Sequence, residues 1–211
     1  MTPPLLFDLD GTLVDSRVVA ERHWAIFCER HGLDFPSVRA VMHGVRSSDT
    51  IRAVAPHLDA GLEAALLDEA EESDTDGLAL VAGAAELLAR LPGGAWAIVT
   101  SGHRTLAERR LRAVGLPVPA AMVCGDEVAR GKPDPEPFLA GARLLGVAPE
   151  ACIAFEDAPA GILAARAAGM PVVGITTTHG AQALARASVV IDDLTAFLVV
   201  QLALKVCESP L

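Results

Sequence analysis

The chain has 211 residues, of which 52% are hydrophobic, so it can bury a sizeable core and is not a disordered polypeptide. Its 27 acidic and 17 basic side chains give a net charge of −10, which argues against nucleic acid or an anionic membrane as the main partner. An anionic substrate would therefore need positive charge concentrated at its binding site.

The first predicted strand covers residues 4–10 and runs into the motif DLDGTLVDS at residues 8–16. Two carboxylates, Asp8 and Asp10, stand two residues apart at the end of this strand. Like charges this close are costly unless a positive charge lies between them. The arrangement therefore predicts a binding site at the end of the strand.

Residues 16–83 form an insertion that has helical patterns and no clear strand. A second Asp-x-Asp-Gly sequence, at residues 73–77, follows one of these helical patterns and is interpreted as a helix terminus or hinge. Because the insertion directly follows the first strand, we expect it to cover the carboxyl edge of the sheet as a cap. Asp59 is placed to cap the last of three predicted helices. These helices cover residues 17–31, 47–55 and 59–72.

Five further strands are predicted after the insertion, and several of them are apolar on both faces, as strands covered by helices on both sides are. Amphipathic helical stretches such as residues 104–115 separate them. The alternation predicts an α/β fold with a doubly wound, mostly parallel, Rossmann-like sheet. We expect a catalytic core from residues 1–15 and 84–211 and an all-helical cap domain from residues 16–83. The five strands cover residues 95–100, 120–125, 151–157, 171–177 and 187–193.

Polar side chains stand at the carboxyl ends of the first four core strands, which is where doubly wound sheets bind ligands. Several carboxylates with one lysine predict a site for a hard cation, and oxygen ligands favour Mg²⁺. A lysine and a hydroxyl group aimed at the same point suit the oxygens of a phosphoryl group in transfer. The predicted reaction class is therefore phosphoryl transfer. In strand order, the residues are Asp8 and Asp10, Thr100 and Ser101, Lys132, and Glu156 and Asp157.

Four segments resemble, in order and spacing, the signature motifs of the haloacid dehalogenase-like hydrolase superfamily. The helical insertion resembles the cap of its phosphoglucomutase-like and sugar-phosphatase branch. Within that branch the chain is most similar to 2-deoxyglucose-6-phosphate and glycerol-phosphate phosphatases, partly through HGVRSSDTI at residues 43–51. The resemblance implies a Mg²⁺-dependent phosphatase that acts on small phosphorylated metabolites, such as sugar or polyol phosphates. The four segments are DLDGTLVDS (8–16), IVTSG (98–102), GKPDPEPF (131–138) and FEDAPAGILAARAAG (155–169).

The resemblance also implies a role for each site residue. Asp8 would be the nucleophile that forms an aspartyl-phosphate, and Asp10 would be the general acid and base. We further hypothesise that His43 and Arg46, near Gly44 in a cap loop, contact the substrate. The Mg²⁺ ligands would be Asp8, the main-chain carbonyl of Asp10, Asp157 and, directly or through water, Glu156. The phosphoryl oxygens would be bound by Thr100, Lys132 and the main chain around Ser101.

Three other functions are alternatives. A dehalogenase releases a halide that needs no protonation, so Asp10 and a Mg²⁺ site would be superfluous. A β-phosphoglucomutase-like enzyme would have a histidine on the first cap helix and an arginine after the loop glycine, where this sequence has Ala20 and Ser47. A non-catalytic protein that only binds a phosphorylated ligand is the third alternative, although every proposed catalytic position holds a competent residue.

The remaining features predict a cytoplasmic protein. We expect no signal peptide, no membrane association and reduced thiols in place of a disulfide framework or a zinc site. The apolar stretch at residues 196–206 contains Gln201 and Lys205 and is predicted to be a packed surface helix. The sequence does not determine the oligomeric state and is compatible with a monomer. The four cysteines are Cys28, Cys124, Cys152 and Cys207.

Overall fold

A computed structural model describes residues 3–198 of the chain, which alternate between strands and helices as the sequence predicts. The strands are β1 (Leu5–Phe7), β2 (Val14–Asp15), β3 (Ala79–Leu80), β4 (Trp96–Val99), β5 (Met122–Val123), β6 (Ile153–Glu156), β7 (Val172–Ile175) and β8 (Val189–Ile191). The helices are α1 (Arg17–His31), α2 (Phe35–Met42), α3 (Ser47–Val54), α4 (Ala60–Ser73), α5 (Ala84–Arg90), α6 (Arg104–Ala113), α7 (Glu136–Leu145) and α8 (Pro159–Ala167).

Six of the strands form one parallel sheet in the order β5-β4-β1-β6-β7-β8. All six strands predicted for the core are confirmed, and so is the doubly wound fold class. The strands are shorter than predicted because the polar residues at their carboxyl ends lie in loops, as Asp8 does after Phe7. Strand β1 lies between β4 and β6, so the ends of these three strands meet in the middle of one sheet edge.

Both faces of the sheet are buried. Leu5 and Phe7 point into one hydrophobic cluster with α5 and α6, whereas Leu6 points into a second cluster with α7 and α8. The ring of Phe7 stacks on that of Phe155 with centroids 4.7 Å apart. This double coverage explains why the strand sequences are apolar in continuous runs.

Helices α1 to α4 enclose a separate hydrophobic cluster of their own, which includes Trp24 and Ile51. The three predicted helices are confirmed. The side chain of Asp59 accepts hydrogen bonds from the backbone N–H groups of Gly61 and Leu62, as the predicted N-cap of α4. Helix α2 was not predicted from the sequence.

The prediction of an insertion without strands is wrong at one place. Strand β3 pairs with β2 in a small antiparallel sheet, with Val14 opposite Leu80 and Asp15 opposite Ala79. The two crossings of the chain between core and insertion therefore lie side by side. The division at residues 15/16 and 83/84 stays a prediction, and we use "cap segment" for residues 16–83 and "core" for the other described residues.

Three of the four cysteines lie in the described part of the chain, where Cys28, Cys124 and Cys152 are buried free thiols, as predicted. Cys207 and most of the helix predicted at residues 196–206 lie outside the described residues. None of the helices among residues 3–198 has the length and apolar character needed to cross a bilayer.

Candidate active site

The predicted core site residues come together at the carboxyl edge of the sheet. Asp8 directly follows β1, Thr100 follows β4, Asp157 follows β6, and Lys132 lies in the loop between β5 and α7. Because these strands are neighbours and parallel, the side chains at their ends face one shared space. All four of these side chains are buried.

Lys132 connects two of the carboxylates. Its Nζ donates to Oδ1 of Asp8 at 2.5 Å and to Oε1 of Glu156 at 2.6 Å. An ammonium group has three N–H donors, so one donor remains for a further acceptor. Lys132 is therefore held as a fixed positive charge under Asp8.

Asp8, Glu156 and Asp157 form a group of carboxylates whose ligand oxygens lie within 4.8 Å of one another. Oδ1 of Asp157 is buried and has no hydrogen-bond partner among the described residues. Three ionised carboxylates beside one ammonium group leave two uncompensated negative charges. Hard oxygen donors with this charge fit a divalent cation such as Mg²⁺.

Burial shifts the pKa of each of these groups. It raises the pKa of Asp8 to about 8 and that of Glu156 to about 7, although Lys132 opposes both shifts. Burial also raises the pKa of Asp157, and the neighbouring Asp8 charge adds to that rise. For Lys132, burial alone would lower the pKa, but the two carboxylates it contacts raise it above its ordinary value. The lysine is therefore cationic at any physiological pH.

Two glycines allow the backbone to pass close to the carboxylates. Gly11 has φ +82°, a conformation that side chains rarely adopt, and a Cβ there would overlap the carboxylate of Asp157. A Cβ at Gly161, in the first turns of α8, would overlap the carboxylate of Glu156. The glycine in DLDGT is therefore needed for its backbone angle and for its lack of a side chain.

Asp10 lies beside this cluster and is held by two contacts to the same oxygen. Ser16 Oγ donates to Oδ1 of Asp10 at 2.7 Å, and Nη1 of Arg110 lies 2.7 Å from that oxygen. Nη2 of Arg110 also donates to Glu71 of α4 in the cap segment. For Arg110, burial would lower the pKa, but Asp10 and Glu71 raise it above its ordinary value.

Sequence reasoning missed Arg110 and Glu71, which lie in stretches predicted only as helices. Each falls on the apolar face of its helix. The buried residues of α6 include Leu106 and Arg110, four apart, and those of α4 include Leu67 and Glu71, also four apart. A charged residue at such a position is the signal that would have identified them.

A cavity of about 80 Å³ lies between the core and the cap segment. Asp8 and Asp10 line it, whereas Lys132 and Glu156 lie beneath the surface and are not among the described lining residues. Thr100, Ser101 and Thr178 are further core residues in the lining. From the cap segment the lining includes Ala20, Trp24, His43, Ser47, Asp68 and Glu71.

Two predicted phosphoryl-binding residues also hold the site together. Oγ1 of Thr100 accepts a hydrogen bond from the backbone N–H of Gly102 at 3.1 Å. Oγ of Ser101 donates to the carbonyl oxygen of Gly44 at 2.9 Å, which joins the core to the cap loop. Both residues line the cavity together with Asp8 and Asp10.

The two predicted cap contacts are placed differently. His43 lines the cavity, with its Nε2 3.3 Å from a carboxylate oxygen of Glu21. Arg46 is not among the described lining residues. Its Nε donates to Asp49 at 2.6 Å, and its Nη1 donates to the carbonyl of Val128 at 3.2 Å. Arg46 therefore connects the cap segment to a core loop, and its positive charge is paired with Asp49.

The sequence pattern of the haloacid dehalogenase-like hydrolases matches residues 5–169 of this chain. The chain belongs to the haloacid dehalogenase-like hydrolase family. The segment that matches the hydrolase family contains Asp8, Asp10, Thr100, Lys132, Glu156 and Asp157.

Individual members of the hydrolase family cover nearly the whole chain. Hexitol phosphatase A of Escherichia coli K12 is 41% identical over 194 residues, which are 90% of this chain and 90% of that protein. 2-Deoxyglucose-6-phosphate phosphatase 1 of Saccharomyces cerevisiae is 37% identical over 223 residues, covering 93% of this chain and 89% of the relative. A solved structure of a hydrolase from Pseudomonas syringae superimposes with a TM-score of 0.83 at 27% identity, and covers 94% of this chain and 98% of its own. The predicted resemblance to this family and to its sugar phosphatases is confirmed.

Proposed function

We propose that the protein is a Mg²⁺-dependent phosphatase that hydrolyses monophosphates of sugars or polyols through an aspartyl-phosphate. The observation that carries the proposal is the position of Asp8. This carboxylate belongs to the buried acidic group, contacts Lys132 and also lines the cavity. It is thus a nucleophile held between fixed positive charge and the space for a substrate.

The metal ion would be held by Asp8, Asp157 and Glu156, with the main-chain carbonyl of Asp10 as the further ligand predicted from the family motif. When bound, Mg²⁺ would supply positive charge that offsets the carboxylates and stabilises negative charge on the phosphoryl oxygens. The unpartnered buried Oδ1 of Asp157 supports this assignment, because such an atom is costly unless something binds it.

The first half of the reaction transfers the phosphoryl group to Asp8. A carboxylate oxygen of Asp8 forms a bond to phosphorus while the bond from phosphorus to the substrate oxygen breaks. Asp10 donates a proton to that leaving oxygen, so the product departs as an alcohol. Asp10 lines the cavity beside Asp8, which is the position that this proton transfer needs.

The second half of the reaction releases phosphate. Asp10, now ionised, takes a proton from a water molecule as the water oxygen bonds to phosphorus and the bond to Asp8 breaks. Lys132 has one N–H donor left for a phosphoryl oxygen, and Thr100 contributes its hydroxyl. The products are inorganic phosphate and regenerated Asp8.

The charges of the cap segment support a neutral polyhydroxy group on the substrate. Asp68 and Glu71 line the cavity. Each already accepts from one protein side chain, but a carboxylate has two oxygens and can accept further hydrogen bonds from hydroxyl groups. Among the described lining residues, the arginines are already paired. Arg17 donates twice to Asp15, at 2.9 and 2.7 Å, and Arg110 contacts two carboxylates. The substrate classes in the names of the two relatives reported above agree with this choice.

The same charges argue against the mutase alternative, which must hold a bisphosphate intermediate. Ala20 and Ser47, which stand where that family has a histidine and an arginine, both line the cavity. Neither side chain offers a positive charge to a second phosphate group. Water is therefore the easier acceptor of the phosphoryl group from Asp8.

Substrate entry requires the cavity to widen. Its volume of about 80 Å³ is well below the ~300–1,000 Å³ typical of small-molecule pockets. We propose that the cap segment opens to admit the substrate and closes before transfer, which excludes bulk water.

We further propose a cytoplasmic location, which the buried free thiols favour. A functional monomer stays a prediction.

The test is phosphate release from p-nitrophenyl phosphate and from a panel of sugar, polyol and bisphosphate esters, with Mg²⁺ and with a chelator. We expect Mg²⁺-dependent turnover and higher kcat/KM for the monophosphates of neutral polyols than for bisphosphates. No Mg²⁺-dependent release from any ester would refute the phosphatase. Interconversion of glucose phosphates that needs a bisphosphate primer would favour the mutase instead.

A further inference from the structure

A buried arginine bridges the core, the cap segment and Asp10. Arg110 is only 5% exposed and lies on α6 of the core. Its Nη1 contacts Asp10, and its Nη2 contacts Glu71 on α4, which is 6% exposed. The three side chains form a chain of contacts from the cap helix to the general acid and base.

A buried bridge of three charged side chains is a poor way to stabilise a fold. Removing three charged groups from water costs several kcal/mol per ion, and apolar side chains of similar size often pack equally well. The planar guanidinium group, however, can hold two carboxylates at once in fixed directions. This geometry restricts the orientation of the Asp10 carboxyl group.

The two contacts to Asp10 are made to the same carboxyl oxygen, which suits a group that transfers a proton from its other oxygen. Both Ser16 Oγ and Arg110 Nη1 reach Oδ1 of Asp10. Oδ2 is then the oxygen that can carry the proton for the leaving group. Tilting of the carboxyl group would lose both contacts, so the hydrogen bond and the ion pair together restrict its orientation.

We propose that Arg110 is a positioning residue that orients Asp10 for proton transfer, and that Glu71 makes this orientation depend on the closed cap segment. The inference rests on the proposed phosphatase function and adds a residue to it. Opening of the cap segment would remove Glu71 from Arg110. Proton transfer from Asp10 would then be efficient only when the substrate is enclosed.

The leaving group of the substrate distinguishes positioning from a structural role. An alkoxide is a poor leaving group and needs a proton from Asp10, whereas p-nitrophenolate departs readily without one. Loss of positioning should therefore lower kcat/KM, which reports the transfer to Asp8, far more for alkyl phosphates than for p-nitrophenyl phosphate. General damage to the fold should slow both to the same extent.

The chain offers a matched control on the next residue. Nη1 of Arg109 lies 3.2 Å from Oε1 of Glu72, so this pair also joins α6 to α4, but the Arg109 side chain is 55% exposed. Arg109→Gln and Glu72→Gln remove an inter-helix ion pair without touching Asp10. They report the effect of a weaker connection between core and cap segment.

The experiment measures kcat and KM of wild type, Arg110→Lys, Arg110→Gln, Glu71→Gln and the two controls. The substrates are p-nitrophenyl phosphate, phenyl phosphate and 2-deoxyglucose 6-phosphate. We expect the Arg110 variants to lose about 10²-fold in kcat/KM for the poorest leaving group and less than about fivefold for p-nitrophenyl phosphate, because kcat/KM reports the transfer to Asp8 whereas kcat also contains the attack of water, which needs Asp10 for every substrate. Glu71→Gln should show the same trend with a smaller loss, and both controls should resemble wild type.

Equal losses in kcat/KM for all leaving groups, or the same trend in Arg109→Gln, would overturn the inference. In an Asp10→Asn background, the additional Arg110→Lys change should have no further effect on the leaving-group dependence. A further effect would likewise contradict it. Wild type that hydrolyses none of the esters would refute the phosphatase function itself, and the inference with it.

Discussion

Nζ of Lys132 lies 2.5 Å from Oδ1 of Asp8, so the predicted nucleophile and an ammonium group share a charge-assisted hydrogen bond between two buried side chains. The two residues are 124 positions apart in sequence. The sheet brings them together because Lys132 follows β5 and Asp8 follows β1 at the same edge. The ion pair therefore forms only when the sheet is folded, and it offsets the charge of Asp8 there.

Lys132→Met tests this dependence. It leaves two buried carboxylates without their cation, and breaking a buried ion pair typically costs about 3–5 kcal/mol. We expect a fall of that size in the free energy of unfolding, measured by urea denaturation without metal, and loss of turnover. The matched control is Arg130→Met, because Arg130 is 72% exposed and its ion pairs are on the surface. Arg130→Met should lower the free energy of unfolding by less than about 1 kcal/mol. An equal loss for both variants would contradict the role of Lys132.

Asp8→Asn should abolish phosphate release while the fold survives. The amide is close in size to the carboxyl group but is a poor nucleophile, so kcat should fall below detection, whereas circular dichroism should be unchanged. The second Asp-x-Asp-Gly sequence supplies the control. Asp76→Asn changes a side chain that is 96% exposed and should retain wild-type kcat. Substantial turnover by Asp8→Asn would refute the nucleophile assignment.

Gly11→Ala should destroy the site through its Cβ and not merely through backbone strain. The comparison is Gly32→Ala, because Gly32 has a similar φ of +66° but no atom within 4 Å of the point that a Cβ would occupy. We expect Gly32→Ala to cost about 1–2 kcal/mol in stability and to leave kcat unchanged. Gly11→Ala adds an overlap with Asp157 and should lose Mg²⁺-dependent turnover. Comparable activity in both variants would show that the overlap is readily relieved.

Metal-free protein should become less stable as the pH rises. The folded-state pKa values of Asp8 and Glu156, about 8 and about 7, lie above their ordinary values of 3.8 and 4.5. The folded chain therefore binds more protons than the unfolded chain between these values, and this contribution to stability is complete below about pH 4 and lost as the pH rises through about 8.

We therefore expect the Tm measured in a chelator to fall from pH 6 to pH 8. Added Mg²⁺ should raise the Tm more at pH 8 than at pH 6, because the metal competes with protons for the carboxylates. Asp8→Asn, which lacks one of these carboxylates, should show a weaker dependence. A Mg²⁺ effect that is equal at both pH values would contradict the metal site.

The sequence predicts the sheet, and the polar residues that meet at its edge, because both depend on local patterns. Each strand is an apolar run that ends at a polar residue, and parallel strands bring those residues to one edge, as with Thr100 and Asp157. The elements that were missed are short or depend on tertiary contacts. Helix α2 has only eight residues and begins at Phe-Pro, and β2 and β3 have two residues each.

The cap side of the site could not be predicted in the same way. Whether an arginine near the site contacts backbone carbonyl groups or a carboxylate of the site depends on what lies opposite it. Arg46 faces the carbonyl groups of a core loop, whereas Arg110 faces Asp10. No spacing within the sequence distinguishes these two cases, because each partner is far away along the chain.

The pairing of Asp15 with Ala79 has a consequence for how such enzymes diversify. The segment between these residues leaves and re-enters the core at neighbouring points. Its length and sequence can therefore change without moving the strands that carry the proposed phosphoryl-transfer residues. New substrate preferences can then evolve by replacement of one contiguous stretch of gene. Descendant proteins would then keep the same reaction and differ in the substrate that they prefer.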